Sequence, residues 1–80
     1  MRLPRDLSGH DLAHILRKLG YSITRQTGSH LRLTTTEHGE HHIPMPPHSP
    51  LRIGTLSAIL TDVAAHLELT REQLHHQLFE

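Results

Sequence analysis

An α+β fold of order α-β-β-β-α, closed by a further short helix, follows from three features of this 80-residue chain. Apolar residues recur at helical spacing near both ends, they alternate with a period of two through the middle, and glycine- and proline-containing turns separate the blocks. The expected architecture is a three-stranded antiparallel sheet with the helices packed on one face and the other face left open. Residues 1–80 are expected to form one domain, because so short a chain fills only a thin core.

The first helix opens at Ser8, whose hydroxyl suits a free amide of the first turn, and Asp11 suits the positive helix start. Leu7 and Leu12 occupy the positions of a hydrophobic staple. Leu12, Ile15, Leu16 and Leu19 form the apolar stripe, Arg17 and Lys18 favour the negative helix end, and Gly20 stops the helix. From Tyr21 the period becomes two, with Tyr21 and Ile23 in phase. Thr27-Gly28-Ser29 then turns the chain into His30-Leu31-Arg32-Leu33-Thr34-Thr35, where Leu31 and Leu33 point inward while His30, Arg32 and Thr34 point away.

Glu37-His38-Gly39 is a second turn, and Glu40-His41-His42-Ile43-Pro44 is a third strand that Pro44 is expected to end. Met45 to Pro50 is too proline-rich for regular structure and crosses to a second helix. That helix begins around Gly54-Thr55 and carries Leu56, Ile59, Leu60, Val63 and Leu67 at helical spacing. Thr70 with Gln73 forms a capping box and Leu69 with Leu74 a staple, which predicts a third helix over Arg71–Phe79 with Leu74 and Leu78 inward.

Composition narrows the function. There is no cysteine, so disulfides and thiolate metal sites are excluded. The start lacks the apolar run of a signal peptide and no stretch approaches the roughly 18 apolar residues of a membrane span, so a cytoplasmic protein is expected. Formal charge is zero, with eight basic and eight acidic residues. Residues 1–35 carry six basic side chains against Asp6 and Asp11, a net of +4, and the remainder is −4. Such an asymmetry suits a molecule that meets an anion on one side. The ten histidines add positive charge in mild acid. With only Tyr21 and Phe79 as aromatics, base stacking is not a recognition route, which leaves backbone and shape.

Several segments resemble a known family in the right order: Ser8-Gly9 before an amphipathic helix, Leu19-Gly20-Tyr21, Arg25-Gln26-Thr27-Gly28-Ser29-His30, Ile43-Pro44, His48, and Gly54-Thr55-Leu56 followed by Ile59-Leu60. The family is the HicA toxins of type II toxin–antitoxin systems. Gly-Ser-His alone is common by chance, whereas the ordered set covers nearly the whole chain. The resemblance implies a fold similar to a double-stranded-RNA-binding domain, ribosome-independent cleavage of mRNA, and neutralisation by a HicB-type antitoxin that covers the active face. It also implies that His30, which follows the glycine of the first hairpin turn, is the catalytic histidine. The segment from Asp62 to Phe79 is longer than in the shortest members of the family.

Metal-independent RNA cleavage needs a base for the 2′-hydroxyl, an acid for the leaving oxygen and positive charge at the phosphate. His30 suits either proton-transfer role, and Arg32 shares its face. Arg25 is a phosphate contact too, although its phase points to the core unless the turn contains a bulge. Gln26 and the Ser29 hydroxyl are candidates for orienting the nucleotide. A second possibility is metal binding by His38, His41, His42 and His48, but His41 and His42 are adjacent in a strand and face opposite sides. No cofactor is therefore expected, and His66, His75 and His76 are expected on helix surfaces. Competing functions are a non-catalytic RNA-binding module using the same open face and a protein-interaction domain.

Overall fold

The computed structural model describes residues 3–47 and 50–80. Helix α1 (Gly9–Leu16) passes through a 3-10 turn (Arg17–Leu19) into strands β1 (Ser22–Gln26), β2 (Leu31–Thr35) and β3 (His41–Met45), followed by helices α2 (Ile53–His66) and α3 (Arg71–Phe79). The strands form one antiparallel sheet of order β1-β2-β3. This is the expected α+β arrangement.

Local chemistry accounts for the ends of the elements. Ser8 Oγ accepts from the Asp11 amide at 3.1 Å and the Asp11 carboxylate accepts from the Ser8 amide at 3.0 Å, a reciprocal cap on α1. That bonding holds the Asp11 carboxyl below its ordinary range. Gly20 takes the left-handed conformation (φ 86°) that ends the helix, and Thr70 with Gln73 repeats the reciprocal cap on α3.

The core lies between the sheet and the helices. Leu12 and Leu16 of α1, Leu31 and Leu33 of β2, Ile43 and Met45 of β3, Leu56, Leu60 and Val63 of α2 and Leu74 and Leu78 of α3 are all buried. Each such side chain contributes about 1.5–3 kcal/mol of hydrophobic stabilisation. Gly9 is where α1 meets the crossover: a Cβ there would collide with the Pro46 carbonyl. The His10 amide donates to the Pro47 carbonyl at 3.2 Å and the Leu51 amide to the Leu7 carbonyl at 2.6 Å, stitching the crossover to the start of α1.

Three local expectations need correction. Pro44 does not end the third strand but lies within it, opposite Arg32. β3 is an edge strand, where a missing amide can face away from the ladder. Ile23, in phase with buried Tyr21, is 44% exposed, because it sits on the outer strand β1 where only the flank of α1 overhangs it. His66 is half-buried rather than a surface residue: its Nε2 lies 2.8 Å from the Glu37 carbonyl and 3.0 Å from that of Gly39, tying α2 to the β2–β3 turn.

Candidate active site

The β1–β2 connection is built by Thr27. Its amide donates to the His30 carbonyl at 2.9 Å, and its Oγ1 accepts from the amides of Ser29 (3.4 Å) and His30 (3.1 Å). A threonine hydroxyl thus replaces backbone partners in a four-residue turn. The turn delivers His30 to the residue before β2, with its side chain exposed. Ser29 Oγ lies 3.0 Å from His30 Nδ1. That contact engages one ring nitrogen of an exposed side chain.

Around His30 lies a shallow depression of about 300 Å³ lined by Arg25, Thr27, His30, Leu31, Arg32 and Pro44. Arg25 joins it through a β-bulge. The β1–β2 pairing matches Ile23 with Leu33 and then Arg25 with Arg32, so Thr24 is an extra residue that the partner strand does not oppose. In a regular strand, with Thr24 paired, Arg25 would fall in phase with Ile23 and face the helices; with the bulge, Arg25 sits across from Arg32 on the open face. The expectation that Arg25 points inward unless the turn is bulged is resolved in favour of the bulge, which falls within β1 itself.

Thr24 also braces the site. Its Oγ1 accepts from Arg32 Nε at 3.4 Å, lies 3.3 Å from the Arg32 carbonyl and 2.8 Å from Thr34 Oγ1. Thr34 Oγ1 is 2.7 Å from His42 Nδ1, whose Nε2 is 2.8 Å from the Glu40 carboxylate. The open face therefore carries a polar chain from Glu40 to Arg32. Nothing in the periodicity of the sequence marks Thr24 or His42, because only the register of the folded strands brings them together.

Of the residues singled out in the sequence, the structure brings His30, Ser29, Arg25 and Arg32 together. Gln26 is separated from them: it pairs with Leu31 on the core side, and its Nε2 lies 3.4 Å from His10 Nε2 on α1. Two consecutive residues of β1 thus serve opposite faces.

The other histidines go elsewhere. His38 Nδ1 is 3.6 Å from the Glu68 carboxylate, and His42 belongs to the open face. His41, on the helix side, has Nδ1 2.7 Å from the Tyr21 hydroxyl and Nε2 3.2 Å from Asp62, while its ring stacks on His66 at 4.3 Å. Burial, and then the Asp62 carboxylate, push the Tyr21 phenol up to about 12. His48 lies outside the described residues, and among the described residues no three His, Asp or Glu side chains are placed to hold a metal ion. His75 is half-buried with its ring 5.2 Å from that of Phe79, again not the expected surface position. No helix among the described residues is long and apolar enough to cross a membrane.

Comparison with known proteins gives one match. A family model described as the HicA toxin of bacterial toxin–antitoxin systems matches residues 9–64, from the first residue of α1 into the last turn of α2. The matched region contains the whole sheet and every residue of the depression; α3 lies beyond it. No curated protein and no solved structure shows a significant match.

Proposed function

The chain belongs to the HicA toxin family, the toxin side of bacterial toxin–antitoxin pairs, and from that membership we propose that it is an endoribonuclease that cleaves mRNA independently of the ribosome. His30 is its general base or acid, and a HicB-type antitoxin neutralises it by covering the open sheet face. The observation that supports this reading is that one exposed histidine and two arginines line a single depression.

That placement suits attack by the RNA's own 2′-hydroxyl. His30 Nε2 takes the 2′-proton while Nδ1 is held by Ser29. The 2′-oxygen bonds to phosphorus, Arg25 and Arg32 neutralise the charge that builds on the phosphorane oxygens, and the 5′-oxygen leaves, taking its proton from water at the open face. The products are a 2′,3′-cyclic phosphate and a 5′-hydroxyl. Arg32 is the better fixed of the two cations, since Thr24 accepts from its Nε.

The purified chain should cut single-stranded RNA in the presence of EDTA. His30→Ala should lower the rate by about 10²–10⁴-fold, the usual worth of a positioned general acid or base. The melting temperature should not move, because the side chain is exposed. Ends carrying a 3′-hydroxyl and a 5′-phosphate would sink the 2′-hydroxyl mechanism. Retention of RNA without cutting, unchanged in His30→Ala, would make the chain an RNA-binding module instead.

A further inference from the structure

A second feature on the other side of the β1–β2 hairpin is not used by the site around His30. Between α1 and β1 runs an open cleft of about 320 Å³, lined by His10, Ala13, His14, Arg17, Ser22 and Ile23. Three of the six lining side chains are basic or can become so, and none is acidic. The nearest carboxylate along the helix, Asp11, is bound into the α1 cap through Ser8. The floor is apolar. Ile23 is one of two large hydrophobic residues among those described that stand well exposed, and it does so here, beside Ala13.

We propose that this α1–β1 cleft is an RNA subsite that takes one nucleotide, with its own phosphate, several positions along the strand from the scissile bond. The phosphate meets Arg17 and His14 and the base lies against Ile23 and Ala13. The proposal rests on the RNA-cleaving reading of the chain and extends it from one site to a path. Its volume lies at the lower end of small-ligand sites, suited to a single nucleotide rather than a folded partner. Its charge suits a phosphodiester and opposes an acidic wall.

Gln26 supplies the continuity. Sequence reasoning grouped it with His30, yet its side chain turns to the α1 flank and meets His10, the first lining residue of the cleft. RNA leaving His30 crosses the hairpin turn beside Gln26 and then follows α1 toward Arg17. From His10 to Arg17 the helix advances about 10 Å, the reach of one or two nucleotides. The outer strand β1 and its turn, closed by the Thr27–His30 backbone bond, lie between the two sites. The bulge at Thr24 contributes to both sites. It sends Arg25 to the open face while leaving Ile23 on the helix side.

The test measures binding of a fluorescein-labelled twelve-nucleotide single-stranded RNA to the full chain, in a His30→Ala background so that cleavage does not interfere. Arg17→Ala should weaken binding about fivefold at 0.1 M salt and flatten the salt dependence by about 0.7 in log K per log salt, as loss of one phosphate contact requires. Ile23→Glu, which puts a carboxylate on the cleft floor, should weaken it further. Both positions are exposed, so the fold should persist by circular dichroism. A labelled trinucleotide, too short to reach from the His30 depression into the cleft, should not distinguish these variants from their parent. Equal losses on both lengths, or none on the longer one, would overturn the subsite. So would loss of antitoxin binding in place of RNA binding, which would assign the cleft to protein. If the chain cuts no RNA but shows the length-dependent losses, the cleft stands and the nuclease reading falls. If it cuts RNA and the variants bind like the parent, only the cleft falls.

Discussion

Gly28 stands at the tip of the β1–β2 turn with no internal reason to be glycine. A Cβ there would touch nothing within 4 Å, and its backbone is not among the positive-φ positions. Alanine should therefore be neutral or stabilise by about 0.4–1 kcal/mol through the unfolded chain. If RNA crosses the turn closely, Gly28→Ala should nevertheless slow cleavage; thermal melting and a cleavage assay on the same protein would separate the two effects. Unaltered cleavage would mean that substrate stays clear of the turn. Tyr21 offers a cleaner reporter, since it is the only tyrosine and there is no tryptophan. Its phenol is buried beneath His41 and pushed up to about 12, so the neutral form is the one the fold prefers. A raised value stabilises the folded state fully below the ordinary pKa near 10, and the benefit is lost as pH rises through about 12. Ultraviolet titration should find native Tyr21 ionising well above the urea-unfolded chain. Asp62→Asn should recover only the smaller part of the difference, because burial is the larger cause.

At the scale of the elements, the junction of α1 with the crossover leaves no room for side chains. Gly9→Ala forces a methyl group into the Pro46 carbonyl, and the chain must shift α1 or the crossover to accept it. A cost of at least about 1–3 kcal/mol is expected, read as a drop in the urea midpoint with an unchanged slope. The same junction shows what a sequence can and cannot convey. Ser8, Asp11, Thr70 and Gln73 declare helix starts because capping is local, involving partners three residues apart. Leu31 and Leu33 declare the inward face of β2 because alternation is local too. The bulge at Thr24 was readable only as a condition on Arg25, since its existence depends on how β1 registers against β2. Gln26 and His10 are 16 residues apart and His66 and Glu37 are 29, and no periodicity links such pairs. The candidate site was thus legible where it is a turn and a strand phase. It was hidden where it is a register or a docking of helix on sheet.

Across the whole molecule, the zero formal charge conceals a separation that the fold turns into geometry. Arg25 and Arg32 gather beside the β1–β2 turn, and Arg17 lies along the neighbouring flank. Asp62, Glu68, Glu72 and Glu80 belong to α2, α3 and the residues that follow them, and Glu37 and Glu40 lie by the β2–β3 turn at the opposite end of the hairpin. RNA should therefore be held by few contacts, and salt should measure how many. Three arginine–phosphate contacts on a single strand give a slope of about −2 in log K against log salt. Affinity would then fall roughly 20-fold between 50 and 200 mM salt, against thousands-fold for a strongly basic protein. Arg17→Ala should bring the fall to roughly 7-fold, and so should Arg25→Ala or Arg32→Ala, if each neutralises one phosphate. A parent slope near zero would mean that these arginines do not meet phosphate at all. A much steeper slope would require cations beyond these three, with protonated histidines the nearest source, and repeating the titration at higher pH would identify them by the slope they remove.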